Sequence, residues 1–243
     1  VHDWEHLPAL HETSFSACRL LGLGASGWRV ALTAQPGCLN SEQVLQLETD
    51  KSVGRYRVIT EAGPGQGSEI RVQLSFVTEH VTDVDVRYFA PERDPVRLER
   101  IAGGFVAAYA RLWDEDELMM RHRESACRIA AVPKTQDQQP LELGKLDDVV
   151  SRSPFEVQFG GRPWRVIALN GKPVVHAALC PHWLGPLENA PESDGSLRCP
   201  WHFYRFDAQT GVCLSGQPYR LPDPPLLLVD ERENVALISR EIG

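Results

Sequence analysis

The chain has 243 residues, 42% of them hydrophobic, and a formal net charge of −8. That length accommodates one large domain or two modest ones. The acidic balance argues against binding a phosphate backbone, and no apolar run reaches the eighteen or so residues of a membrane span, so neither nucleic acid nor a membrane is an expected partner.

No secretory signal is visible, and the chain begins at Val1 rather than Met. Six cysteines are present. Outside one motif, Cys18, Cys38, Cys127 and Cys213 show no regular spacing. They read as free thiols of a reducing compartment, which places the protein in the cytoplasm.

In chain order, residues 2–11 come first, with His6 and His11 five positions apart. A short helix from Asp3 is expected, with Asp3 as its cap. On a straight helix five residues turn about 500°, which leaves the two rings roughly 140° apart and unable to share a metal. Pro8 lies between them, so a break is expected there, and a broken helix can bring the rings together. Asp3 and His6, three apart, share a face.

Strands are expected at 27–33, 43–48, 56–60, 69–78 and 83–88, forming an antiparallel sheet; residues 71–77 show the period-two alternation of a half-buried strand. Pro36-Gly37 and the Gly63–Gly67 stretch read as loops. From about Asp94 to Glu124 an amphipathic helix is expected, with Leu98, Ile101, Phe105, Tyr109 and Leu112 on one stripe and a bend at Gly103-Gly104. The stripe continues through Asp116 and Met119, while Asp114 lies roughly 200° away from it. A buried carboxylate needs a partner or a metal. Either Asp116 faces inward with such a partner, or the helix has left the core and Asp116 is solvated. Residues 133–140 form a polar linker. The expected division is 1–130, linker 131–140, and 141–243.

The most specific signal is Cys180-Pro181-His182 followed, after sixteen residues, by Cys199-Pro200-Trp201-His202. Two thiolates and two imidazoles suit zinc or an iron–sulfur cluster. The two-finger zinc pattern pairs Cys with Cys and His with His. Here each half carries one of each, which favours a centre in which two Cys hold one iron and two His the other. Gly185-Pro186-Leu187 follows the first pair, and residues 194–198 read as a turn and a strand leading into the second.

On these residues, the stretch from about Leu141 to Ile242 resembles a Rieske ferredoxin-type domain, all-β. The resemblance assigns Cys180, His182, Cys199 and His202 to a 2Fe–2S cluster. Respiratory Rieske domains carry one further Cys in each loop as a disulfide; those positions here are Gly185 and Trp201, and Phe203 stands where a Gly usually follows the second His. The resemblance implies that the missing disulfide, with no Ser following that His, sets a potential nearer about −150 mV than +300 mV.

The sheet followed by one long helix resembles the helix-grip fold of START-like domains, an α+β architecture enclosing an apolar cavity; the resemblance would put that fold's first strand before Val1. Rieske oxygenases combine a helix-grip catalytic domain with a Rieske domain, and their iron motif is similar to Asp3-x2-His6-x4-His11 with a distant acid at Asp116. The resemblance implies mononuclear Fe(II) on His6, His11 and Asp116, two His and one carboxylate. It also implies that Asp3 bridges to a Rieske histidine, His202, commonly between subunits of a trimer. Such proteins take electrons from a reductase or ferredoxin and use O₂ to oxidise a small apolar substrate, often aromatic or cyclic. One departure is the domain order, since those oxygenases usually carry the Rieske domain first. The competing expectation is a non-catalytic Rieske electron carrier fused to a START-like ligand-binding domain. His2, His80, His122 and His176 read as structural or solvated, and Trp4 and Trp113 as packing residues.

Overall fold

A computed structural model describes residues 3–35, 42–131, 139–188 and 191–240. Cys38, His2 and most of the expected linker therefore lie outside the described residues. Every strand pairing among the described residues is antiparallel. The chain divides into two compact units, residues 1–116 and 117–243.

The first unit opens with α1, Leu7–Leu10. The helix does not start at Asp3. Its N-cap is His6, and Pro8 falls in the first turn, where the missing N–H costs no hydrogen bond. Asp3 instead accepts the backbone N–H of Glu5 at 2.9 Å, an Asp side chain closing a local turn rather than a helix. Six strands follow, β1 Phe15–Gly24, β2 Gly27–Ala34, β3 Glu42–Asp50, β4 Arg55–Ala62, β5 Glu69–Thr78 and β6 Val81–Phe89, paired in that order. β1 was not expected. Its register against β2 is irregular between Phe15 and Ala17 and again between Leu20 and Gly22. Such bulges break the alternation by which a strand is recognised.

One face of this sheet carries the core. Trp28, Val30, Leu32 and Leu47 are buried together, with Trp4, Leu7, Phe15, Tyr56 and Val58 packed against them. The other face is charged: Arg57 pairs with Glu48 and Glu69, and Arg71 with Glu69. Exposed pairs of this kind contribute about 1 kcal/mol or less each.

The long helix, α2, runs Pro95–Ala131. Asp94 caps it by accepting the N–H of Arg97 at 3.0 Å, with Pro95 in the first helical position. It continues past Glu124 because no Gly or Pro occurs before Pro133, and the pairs Glu117–Arg121 and Glu124–Arg128 support its exposed side. The expected stripe meets the sheet: Tyr88 contacts the rings of Phe105 and Tyr109 at 5.4 and 5.6 Å, and the hydroxyls of Tyr56 and Tyr109 lie 3.3 Å apart.

In the second unit β7 Leu141–Lys145 and α3 Leu146–Arg152 precede a three-stranded sheet of β8 Phe155–Phe159, β9 Arg162–Leu169 and β10 Lys172–Ala177. The hairpin of β11 Ser196–Arg198 and β12 Arg205–Asp207 comes next, and then β13 Leu226–Val229 and β14 Asn234–Ile238, the latter pairing with β7. Val166, Ile167, Leu187, Leu197, Phe206, Val235 and Leu237 are almost wholly buried. This core anchors two loops, one leaving β10 and one joining β11 to β12.

His176, on β10, is 2% exposed, and its Nδ1 lies 2.8 Å from the carbonyl of Ala177. Nδ1 is therefore the protonated nitrogen, and the ring is neutral. Burial holds its pKa down to about 4. The unfolded chain, titrating near 6.5, takes up the proton first. The resulting stability is intact above about pH 6.5 and lost progressively down to about pH 4, by roughly 3 kcal/mol. Thermal unfolding of the protein and of His176→Leu across that range is expected to give curves whose separation changes with pH, the variant losing less stability towards acid than the unsubstituted protein. Parallel curves would refute this.

Candidate functional site

In the first unit the two ends of α1 present histidines. His6 occupies the N-cap and His11 the C-cap, where the backbone leaves the helix (φ −102°, ψ 42°). The shortness of α1 removes the angular problem of a straight helix, and the two rings lie 5.3 Å apart between centroids, T-shaped. Both are buried, at 8% and 1% exposure. Asp116 on α2 joins them. Its Oδ1 is 3.6 Å from Nε2 of His6 and 3.5 Å from Nε2 of His11. One ligand atom from each of the three lies within 4.8 Å of the others. Asp116 thus faces the histidines, whereas Asp114 is exposed.

Distances of 3.5 and 3.6 Å are long for hydrogen bonds. Two donors sharing one first-row ion at about 2.1 Å stand roughly 3 to 4 Å apart. The spacing therefore suits groups facing a common centre better than groups bonded to each other. His11 has a second carboxylate, Glu115, whose Oε2 is 2.6 Å from Nδ1. Burial pulls the His11 pKa down, but the Asp116 and Glu115 carboxylates against its two nitrogens outweigh it and hold the pKa above its ordinary value. The sequence pattern did not single out Glu115.

In the second unit the two motif loops are built alike. In the first, the N–H of Leu184 donates to the carbonyl of Cys180 (2.9 Å) and the N–H of Cys180 to that of Gly185 (2.8 Å). In the second, Phe203 donates to Cys199 and Cys199 to Tyr204, both at 2.9 Å. Each loop is a six-residue turn starting at Cys, closed by the same two bonds, with its fifth residue left-handed: Leu184 at φ 64° and Phe203 at φ 55°. That conformation favours Gly, which accounts for the Gly usual at the Phe203 position. The side chain of Phe203 lies under the Arg198 guanidinium, 4.4 Å from its ring centroid.

Cys180 and Cys199 are 0% and 1% exposed, His202 7%, and His182 is only half-buried. The His182 and His202 rings lie 4.3 Å apart, flanked by Tyr204 and by Tyr219, 4.9 and 5.1 Å from His182. The two thiols hydrogen-bond to each other, which holds Cys199 low and Cys180 high. Backbone N–H groups of His182 and Trp183 point at the Cys180 sulfur, and that of Trp201 at Cys199. Gly185 and Trp201 face each other: a Cβ on Gly185 would lie 3.1 Å from the Trp201 ring and 2.7 Å from the Cys199 sulfur. The room a disulfide would use is filled by indole.

Residues 139–225 match the Rieske [2Fe-2S] domain. The matched stretch contains Cys180, His182, Cys199 and His202. No curated protein matches the chain. Among solved structures, the ferredoxin of carbazole 1,9a-dioxygenase from Nocardioides aromaticivorans IC177 is similar at 21% identity with a TM-score of 0.35. The similarity covers 42% of this chain and 99% of that one. A Rieske domain implies a 2Fe–2S cluster and an electron-transfer role. The residues fit it: two sulfurs sunk in the core, two imidazoles nearer the surface, N–H groups aimed at the sulfurs, and a glycine where no side chain has room. The described cysteines outside the Rieske motif, Cys18, Cys127 and Cys213, are free thiols, as expected. No helix among the described residues is long and apolar enough to cross a membrane.

Proposed function

We propose that the protein is the terminal oxygenase component of a Rieske non-haem iron system. The observation that carries this reading is the grouping of His6, His11 and Asp116 on a chain that also carries a Rieske domain. Two imidazoles and one carboxylate are the facial set of O₂-activating Fe(II) enzymes. His6, His11 and Asp116 would hold Fe(II), which when bound supplies O₂ activation. Cys180, Cys199, His182 and His202 would hold the 2Fe–2S cluster, which supplies single electrons.

The chain's own residues do the positioning. Asp116 places a carboxylate against both histidines at once, and the burial of His11 excludes water from its ring. The half-buried His182 is the natural entry point for electrons from a reductase or ferredoxin. Asp3 is proposed to bridge to His202, between subunits of a trimer as in the oxygenases the motif resembles. The core face of the first sheet, with Tyr88, Phe105 and Tyr109, offers the apolar and aromatic surface that a small cyclic substrate needs. It is read as a START-like helix-grip domain.

Anaerobic reconstitution with Fe(II) and sulfide, followed by iron analysis, tests the reading. Three irons per chain are expected, two in the cluster and one mononuclear. His11→Ala is expected to retain two, with an unchanged cluster spectrum. If the protein and the variant both bind two, the chain is a Rieske electron carrier with an appended ligand-binding domain.

A further inference from the structure

His11 is the most buried side chain of the candidate iron site, and it has an acid on each nitrogen. Glu115 Oε2 lies 2.6 Å from Nδ1, and Asp116 Oδ1 lies 3.5 Å from Nε2. The two acids are consecutive on α2, and their side chains therefore point about 100° apart. One helix turn thus presents a carboxylate to each side of one imidazole. The contacts differ in kind. The Glu115 distance is that of a short charge-assisted hydrogen bond, whereas the Asp116 distance leaves room for a shared ion.

We infer that Glu115 is a positioning residue for metal at His11. A carboxylate at Nδ1 accepts the proton there and fixes the tautomer, so that the lone pair of the neutral ring resides on Nε2, the nitrogen facing Asp116. A ring only 1% exposed cannot swing to exchange its nitrogens. The negative charge behind the ring also makes Nε2 a stronger donor. Carboxylate partners of ligating histidines characteristically change metal affinity by about 10–100-fold when removed. The inference rests on the proposed iron site and names a residue outside its ligand set.

The test uses the full chain with its cluster oxidised and EPR-silent, and Co(II) as the metal probe. Equilibrium dialysis gives the affinity, and the high-spin Co(II) EPR signal reports the ligand field. Glu115→Gln keeps the shape and an amide oxygen that can still accept from Nδ1, but it removes the charge. It is expected to weaken Co(II) binding about 10–100-fold and to alter the EPR signal. Glu115→Ala, which removes the acceptor at Nδ1 as well as the charge, is expected to weaken it at least as much. A purely structural Glu115 would shift the thermal midpoint of the metal-free protein and leave affinity and EPR signal alone; that result overturns the inference while the site stands. If the unmodified protein binds no Co(II) that His11→Ala abolishes, the site itself fails and the inference goes with it.

Discussion

Gly185→Ala is expected to yield a protein that assembles little or no 2Fe–2S cluster. The added carbon would sit 2.7 Å from the Cys199 sulfur and 3.1 Å from two atoms of the Trp201 ring. Such an approach is far inside van der Waals contact, and neither neighbour can retreat. Trp201 is 3% exposed, and the Cys199 backbone is tied through its N–H to Tyr204 and through its carbonyl to Phe203. Overpacking in a core usually costs about 1–3 kcal/mol, which a fold can absorb. Displacing the Cys199 sulfur is a different loss, because the proposed cluster would lose one of its four bonds to the chain. The backbone of Gly185 is not among the left-handed glycines, so the effect is one of space alone. Visible absorption, reduced-state EPR and sulfide analysis after reconstitution should show a small fraction of the unmodified content. Gly185→Ala combined with Trp201→Ala relieves the indole contact but not the sulfur contact, and should remain empty. A double variant that regains the cluster would show that the indole, and not the sulfur, sets the limit.

The parts of the molecule that were legible in the sequence are those whose chemistry is local. Cys180 with His182, and Cys199 with His202, each fall within one short turn, so their spacing alone points to a Rieske domain, which the match over residues 139–225 shows. Asp116 was distinguishable from Asp114 because helical phase is fixed by chain geometry, and the stripe from Ile101 to Leu112 carried that phase forward. What the sequence hid depended on orientation or irregularity. Glu115 matters only because of how the His11 ring is turned, and nothing in its position along α2 encodes that. The left-handed Leu184 and Phe203, neither of them Gly, conceal the likeness of the two loops. β1 escaped because its bulges and its Leu20-Leu21 pair break the alternation. Asp3 was a plausible cap by residue type, but its carboxylate closed a nearer turn first.

Asp116→Asn is expected to abolish binding of the proposed mononuclear metal while leaving the Rieske cluster and the fold unchanged. Asn has nearly the same shape, so packing against His6 and His11 survives. It cannot supply the negative charge that a divalent ion between two buried imidazoles requires. Affinity should fall by more than the roughly 100-fold typical of changes behind a ligand. Iron content should drop by one per chain, with the 2Fe–2S spectrum as an internal reference. The control is Asp114→Asn, two residues away on the same helix, exposed and pointing elsewhere. The two variants alter net charge and helix composition identically, so any difference between them reports geometry. Equal loss in both would mean that only the general negative field of this helix attracts metal. No loss in either would leave His6, His11 and Asp116 as a buried polar cluster with no ion to hold. Loss in Asp116→Asn alone would fix the carboxylate ligand to one position.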